Sequence, residues 1–209
     1  MMWDLPQATA FNKRIPKQTF YEKLSLSSAM QKVWTDDIQA IYWRHKIATT
    51  TTTLAKGAEV EEIEVLEIQL KKPELPKAVL QQIDKAIPYH ILFILSYEGK
   101  CQAWIGYEQR IYYHTAWVEA DMLSIHLDGL DMDKVYQNLV RRIAGDALGN
   151  TQSATSSLAD DVAKSEERQK IEKEIAKLTA KMQKEQQFNR KVELHRRIKE
   201  LKEKLGGLT

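Results

Sequence analysis

The stretch EIEVLEIQLKKPELPKAVLQQIDKAIPYHILFIL, residues 62–95, decides how this chain folds. Its first ten residues alternate apolar and polar side chains in the manner of a strand. Ile63 and Val65 share one face, while Leu66, Ile68 and Leu70 share the other. The adjacent apolar pair at 65 and 66 predicts a bulge in this strand. Beyond it Glu67, Gln69 and Lys71 line up together, as a solvated polar face would. Pro73 and Pro76 then open a helix whose apolar side is Ala78, Val79, Ile83, Ala86 and Ile87. Pro88 disfavours helical geometry at Ile87 and stops it there. The run YHILFIL follows without polar interruption, the pattern of a strand buried on both faces.

Upstream, Ser27 or Ser28 caps a helix carrying Met30, Val33 and Trp34, and IQAIYWRHKIA (38–48) reads as a strand. The first twenty residues, with Pro6 and Pro16, read as irregular. Downstream, GKCQAWIGY, RIYYHTAWV and MLSIHL read as further strands. Asp131 caps a helix with Val135, Leu139, Ile143 and Leu148 on one side. The class is α+β, a mostly antiparallel sheet with flanking helices, spanning residues 1–148. A polar segment, 149–165, reads as a linker to a helical tail at 166–206.

The tail carries Ile171, Ile175, Leu178 and Met182 at coiled-coil spacing, and then Leu194, Ile198, Leu201 and Leu205. From Met182 to Leu194 is 12 residues, where a continuous seam needs about 10. The lack of Gly or Pro in the break favours one long helix with a rotated seam over a folded-back hairpin. These eight residues are the expected self-association surface. From Lys164 onward the chain has 14 Lys/Arg against 8 Asp/Glu, and before it 17 against 21. Arg190, Lys191, Arg196 and Arg197 are therefore the candidate contacts to nucleic acid, although acidic residues interleave with them.

Chemistry is sparsely signalled. A metal-dependent nuclease of the restriction-enzyme type needs strand carboxylates to hold the ion and a lysine beside them. Glu67 and Lys71 are the candidate catalytic pair and Glu64 and Glu67 the candidate metal ligands, but Gln69 stands where that lysine belongs. No cofactor is expected otherwise; Mg²⁺ enters only with the nuclease alternative. His45, His90, His114, His126 and His195 lack zinc-ligand spacing, though His114 and His126 sit on neighbouring predicted strands. His90 reads as a hydrogen-bonded core histidine. Cys101 is the single cysteine, so no disulfide forms within the chain and a reducing cytoplasm is the expected location. No apolar run is long enough for a membrane span, the start lacks a secretory pattern, and no phosphate-cradling glycine motif is present. Trp104, Tyr107, Tyr112, Tyr113 and Trp117 offer either cross-strand packing or a stacking platform for single-stranded nucleic acid or a partner.

The segments FNKRIPKQTFYEKLSLSS, IYWRHKIA, VLEIQLKK and QIDKAIPYHILFIL, followed by QAWIGY and KEQQFNRKVELHRRIKELK, together resemble a bacterial family, domain of unknown function number 4391. The resemblance runs over most of the chain in the same order. It implies a cytoplasmic accessory protein, working beside a helicase or DNA methyltransferase of a restriction-like phage-defence system. It assigns no catalytic residue. The expectation is thus a non-enzymatic adapter that binds its partner through the α+β body and self-associates through the coiled-coil tail, with a divergent nuclease and a nucleic-acid-binding module as alternatives.

Overall fold

The computed structural model describes residues 3–148 and 157–207. They form two compact units, one ending at Ala144 and the other starting at Gly145.

The first unit is a seven-stranded sheet with helices on both faces. Its strands are β1 (Ala10–Ile15), β2 (Ile38–Ala48), β3 (Glu62–Leu70), β4 (His90–Tyr97), β5 (Lys100–Tyr107), β6 (Ile111–His114) and β7 (Val118–Glu119). Six of them lie side by side in chain order, β1 to β6, and β7 pairs with β5. Every neighbouring pair is antiparallel except β3 and β4. That parallel step is made by α3 (Lys77–Ala86), which begins after Pro76 and ends at Ile87, as the two prolines dictate. One face carries Ile41, Leu66, Ile68, Phe93 and Leu95 and packs against Phe20 of α1 (Lys17–Lys23), Trp34 of α2 (Ser28–Asp37), and Val79, Leu80 and Ile83 of α3. On the other face α4 (Met132–Ala144) lies over β5 and β6.

Several sequence expectations hold to the residue. Ser27 caps α2 by accepting the Met30 N–H, and Asp131 accepts the Lys134 N–H at the start of α4. Others change. The N-terminal segment is ordered as β1 and α1, with β1 pairing along β2. The MLSIHL segment contributes only an isolated bridge, between Asp4 and His126. The irregularities are in β2: its register with β3 shifts between Ile38 and Ala40 and again between Trp43 and His45, where Arg44 is the extra residue. β3 itself pairs without a break along β4. Val65 and Leu66 are both apolar because both faces of this central strand are covered, so no phase flip is needed.

The second unit is a helical hairpin of α5 (Leu158–Lys184) and α6 (Phe188–Gly206). The continuous helix favoured by the sequence does not form. Glu185 and Gln187 take extended backbone angles, and the Glu185 carboxylate accepts the N–H groups of Gln186 (2.9 Å) and Gln187 (3.0 Å). A side chain thus supplies the stop that Gly or Pro was expected to supply. The helix also starts earlier than expected, at Leu158, where Ser157 caps it by accepting the Asp160 N–H. Of the expected linker, 149–156 lies outside the described residues.

Candidate functional site

The nuclease candidates do not come together. Glu64 and Glu67 are three apart on an unbroken strand and therefore leave opposite faces of the sheet. Glu67 is not on a solvated face: its exposure is 0%. Arg44 donates to its Oε2 from Nε (2.6 Å), Ser96 donates to Oε1 (2.7 Å), and Gln69 lies 3.4 Å from Oε1. The β2 bulge that places Arg44 here is thus what neutralises a carboxylate in the middle of the sheet. Lys71 does not join them, because its ammonium is bound to the Thr35 carbonyl at the end of α2.

Glu64 is buried with Glu62 on the face that α1, α2 and α3 cover. Lys46 pairs with Glu62 at 2.5 Å. Burial, together with the Glu62 carboxylate, pushes the Glu64 carboxyl well above its ordinary range. Burial acts against ionisation of Glu62 too, but Glu64 and Lys46 hold it below its ordinary value. Lys46 is thus paired with Glu62, and the protonated form of Glu64 is favoured beside that pair. Among the described residues, no three His, Cys, Asp or Glu side chains are grouped as a metal site.

One cavity lies at the end of the sheet where the strands β4 and β5 meet α3 and α4. It has a volume of about 340 Å³ and is lined by Asp84, Tyr89, His90, Glu108 and Tyr136 among others. The sequence put Asp84 beside the apolar stripe of α3 and gave no reason to single it out. In the structure it is 5% exposed, with Tyr112 of β6 donating a short hydrogen bond to Oδ2. Burial pushes its carboxyl up to about 6, opposed by the Tyr112 hydroxyl. Gly106 makes room for it: a Cβ there would stand 2.9 Å from Oδ2. Tyr136 donates to the Gly106 carbonyl (2.5 Å) and stacks its ring obliquely on His90, centroids 4.3 Å apart.

His90 is not the hydrogen-bonded core histidine expected from its position. Its ring lines the cavity, and burial lowers its pKa, against the pull of Asp133 and Glu59, so the neutral imidazole is favoured. At the rim, Glu108 and Gln109 both hold φ of +51°, the left-handed centre of a β-turn that the Arg110 N–H closes on the Tyr107 carbonyl, within the three-residue loop joining β5 to β6. A turn of this type ordinarily takes Asn and Gly, so two long polar residues are held here at a conformational cost of about 1–3 kcal/mol each.

The remaining candidates are dispersed. Tyr112 and Tyr113 are buried on opposite faces of β6, and Trp104 stacks on His114 at 4.2 Å while donating to Gln102, so the five aromatics do not make one platform. His114 contacts Gln102 and its own strand end, while His126 is held by the bridge to Asp4; the two histidines are not paired. Burial raises the Cys101 thiol to about 11, away from nucleophilic use.

In the hairpin, Ile171 and Ile198 are buried and Ile175, Leu178, Met182, Leu194, Leu201 and Leu205 half-buried. Ion pairs Arg197–Glu174 (3.6 Å) and Lys204–Glu167 (2.6 Å) tie α6 antiparallel to α5. The eight seam residues thus serve the hairpin of their own chain. Arg196 pairs with Glu200 on α6. Arg190, Arg196 and Arg197 line a groove alternately with Glu174, Glu185, Glu193 and Glu200, so the basic residues do not form an uninterrupted positive stripe. Phe188 and Val192, one turn apart on α6, are left 77% and 53% exposed, flanking Arg190 and Lys191.

A family model described as domain of unknown function (DUF4391) matches residues 3–205, nearly the whole chain and both units. The chain belongs to this family. No curated protein and no solved structure matches it significantly. Among the described residues, no helix of this family member is long and apolar enough to cross a membrane.

Proposed function

We propose that the chain is a non-enzymatic accessory protein that docks a larger DNA-acting partner, a helicase or DNA methyltransferase, through its helical hairpin. The observation that carries this reading is the pair Phe188 and Val192. Large apolar side chains at i and i+4, both outside the seam and exposed beside cationic Arg190 and Lys191, are the composition of an interface anchor. Since the seam is occupied within the hairpin, association with a second chain falls to this outer surface rather than to the eight seam residues. The restriction-like setting rests on the sequence resemblance alone. The nuclease alternative draws no support from Glu67, whose charge is taken by Arg44.

The test uses the full chain with Phe188→Glu and Val192→Glu together. Both positions are exposed on a helix, so folding should be unchanged. Capture of a purified helicase or methyltransferase encoded beside this chain is expected to fall at least about tenfold in affinity, the scale of losing two interface anchors. Undiminished capture refutes the docking surface. Cleavage of DNA by the wild-type chain with Mg²⁺ or Mn²⁺, lost in Glu67→Ala, would refute the non-enzymatic reading.

A further inference from the structure

We infer that the cavity at the end of the sheet binds an alkylammonium or alkylguanidinium group, held between Asp84, His90 and the aromatic rings of Tyr89 and Tyr136.

Each wall points to that chemistry. Asp84 receives one hydrogen bond, from Tyr112 on Oδ2, and its other oxygen takes none from the described residues. A mostly buried carboxylate whose second oxygen faces the cavity is best completed there by a donor. His90, as the neutral ring, offers a second acceptor with no protein partner among the described hydrogen bonds. Tyr89 and Tyr136 add two aromatic side chains to the lining, a residue type that favours a bound cation. None of the lining residues is Lys or Arg. Cations nearby are already engaged: Lys77 lies over the Tyr112 ring (5.3 Å), and Arg110 lies 3.6 Å from Glu108. A phosphate or carboxylate ligand would meet Asp84 as a like charge. A purely apolar ligand would displace water from the open oxygen of Asp84 and leave that oxygen without a donor. A flat, multiply donating cation satisfies both acceptors at once, and guanidinium geometry is suited to a carboxylate edge. The cavity volume is at the small end of ligand sites and suits such a group on a short carbon chain. The left-handed Glu108–Gln109 turn holds the rim acid in place at a conformational cost, as functional rims often do.

The group is available from two sources, a free small amine or the side chain of a Lys or Arg on a peptide. Butylguanidinium and butylammonium chloride are therefore titrated into the full chain alongside N-acetylarginine amide, with butylurea as the uncharged control, and binding is followed by calorimetry and by histidine ring NMR signals. Saturable binding of a cationic probe with a millimolar Kd and a shift of the His90 resonances is expected. Asp84→Asn, which keeps the shape and an acceptor for Tyr112, should weaken it at least about tenfold, as loss of a charged partner does. Tighter binding of N-acetylarginine amide than of butylguanidinium would assign the site to a peptide side chain, and the reverse order to a free cation. No saturable binding by any cation, equal binding of butylurea, or a smaller loss in Asp84→Asn overturns the inference. Partner capture through Phe188 and Val192 is read in a separate assay, so neither result stands in for the other.

Discussion

Replacing Asp84 by Asn should stabilise the protein at neutral pH and leave it nearly unchanged in acid. The folded chain holds the Asp84 carboxyl at about 6, against 3.8 in an unperturbed group, with burial as the leading cause. The folded state therefore binds this proton more tightly than the unfolded chain, and stability falls as the proton is lost. Below about pH 4 both states are protonated and Asp84 costs nothing; between about 4 and 6 the cost grows; above that it is constant. A shift of about two pKa units corresponds to about 3 kcal/mol, an upper figure for a carboxyl that water still reaches through the cavity mouth. Protonated Asp and Asn offer Tyr112 a similar neutral acceptor, so the two proteins should converge at low pH. The assay is urea unfolding followed by tryptophan fluorescence at pH 4 and pH 7.5, comparing midpoints at equal slopes. The variant should gain about 2–3 kcal/mol at pH 7.5 and less than about 1 kcal/mol at pH 4. A gap of the same size at both values would refute the reasoning, since it would owe nothing to ionisation.

Two further outcomes test the packing around the same sheet. Arg44→Ala strands the fully buried Glu67 without its cation and should cost about 3–5 kcal/mol in urea unfolding, whereas Arg44→Met with Glu67→Leu should recover most of it; a loss below about 1 kcal/mol in the single variant would mean Glu67 is not held by this pair. Gly106→Ala puts a methyl 2.9 Å from Asp84 Oδ2 and 3.1 Å from the Tyr112 ring, and should cost about 1–3 kcal/mol by thermal or urea unfolding. Shortening Asp84 to Ser in the same chain should reduce that cost, and strict additivity would show that the two positions do not press on each other.

The strands and helices near prolines and caps were legible because their signals are local. Pro76 and Pro88 bound α3, Ser27 caps α2, and the β-branched and aromatic run 38–48 is β2 along its whole length. What failed was long-range. The polarity of Glu67 suggested solvent, but its partner Arg44 is 23 residues away in sequence and faces it only through a bulge on another strand. The seam break was visible as a 12-residue step, yet its resolution depended on one glutamate capping two amides, a role that helical propensity gives no weight. Asp84 looked like an ordinary surface residue on an amphipathic helix. Only the arrival of Gly106 and Tyr112 from a hairpin more than twenty residues later turns it into a buried acid.

The order of the sheet has a consequence for how the chain is made. Because β1 to β6 lie in chain order, each strand emerging from the ribosome finds its place beside the one just before it. The vulnerable moment comes after β4, whose Ile91–Leu95 core would form a long, sticky open edge. The next strand is delivered by the two-residue turn Glu98–Gly99, with φ of +46° and +82°, among the shortest connections an antiparallel pair permits. The strand most prone to aggregate is thus followed at once by its own cover. Lengthening that turn should show up first as insoluble product during synthesis, with little loss of stability in the molecules that do fold.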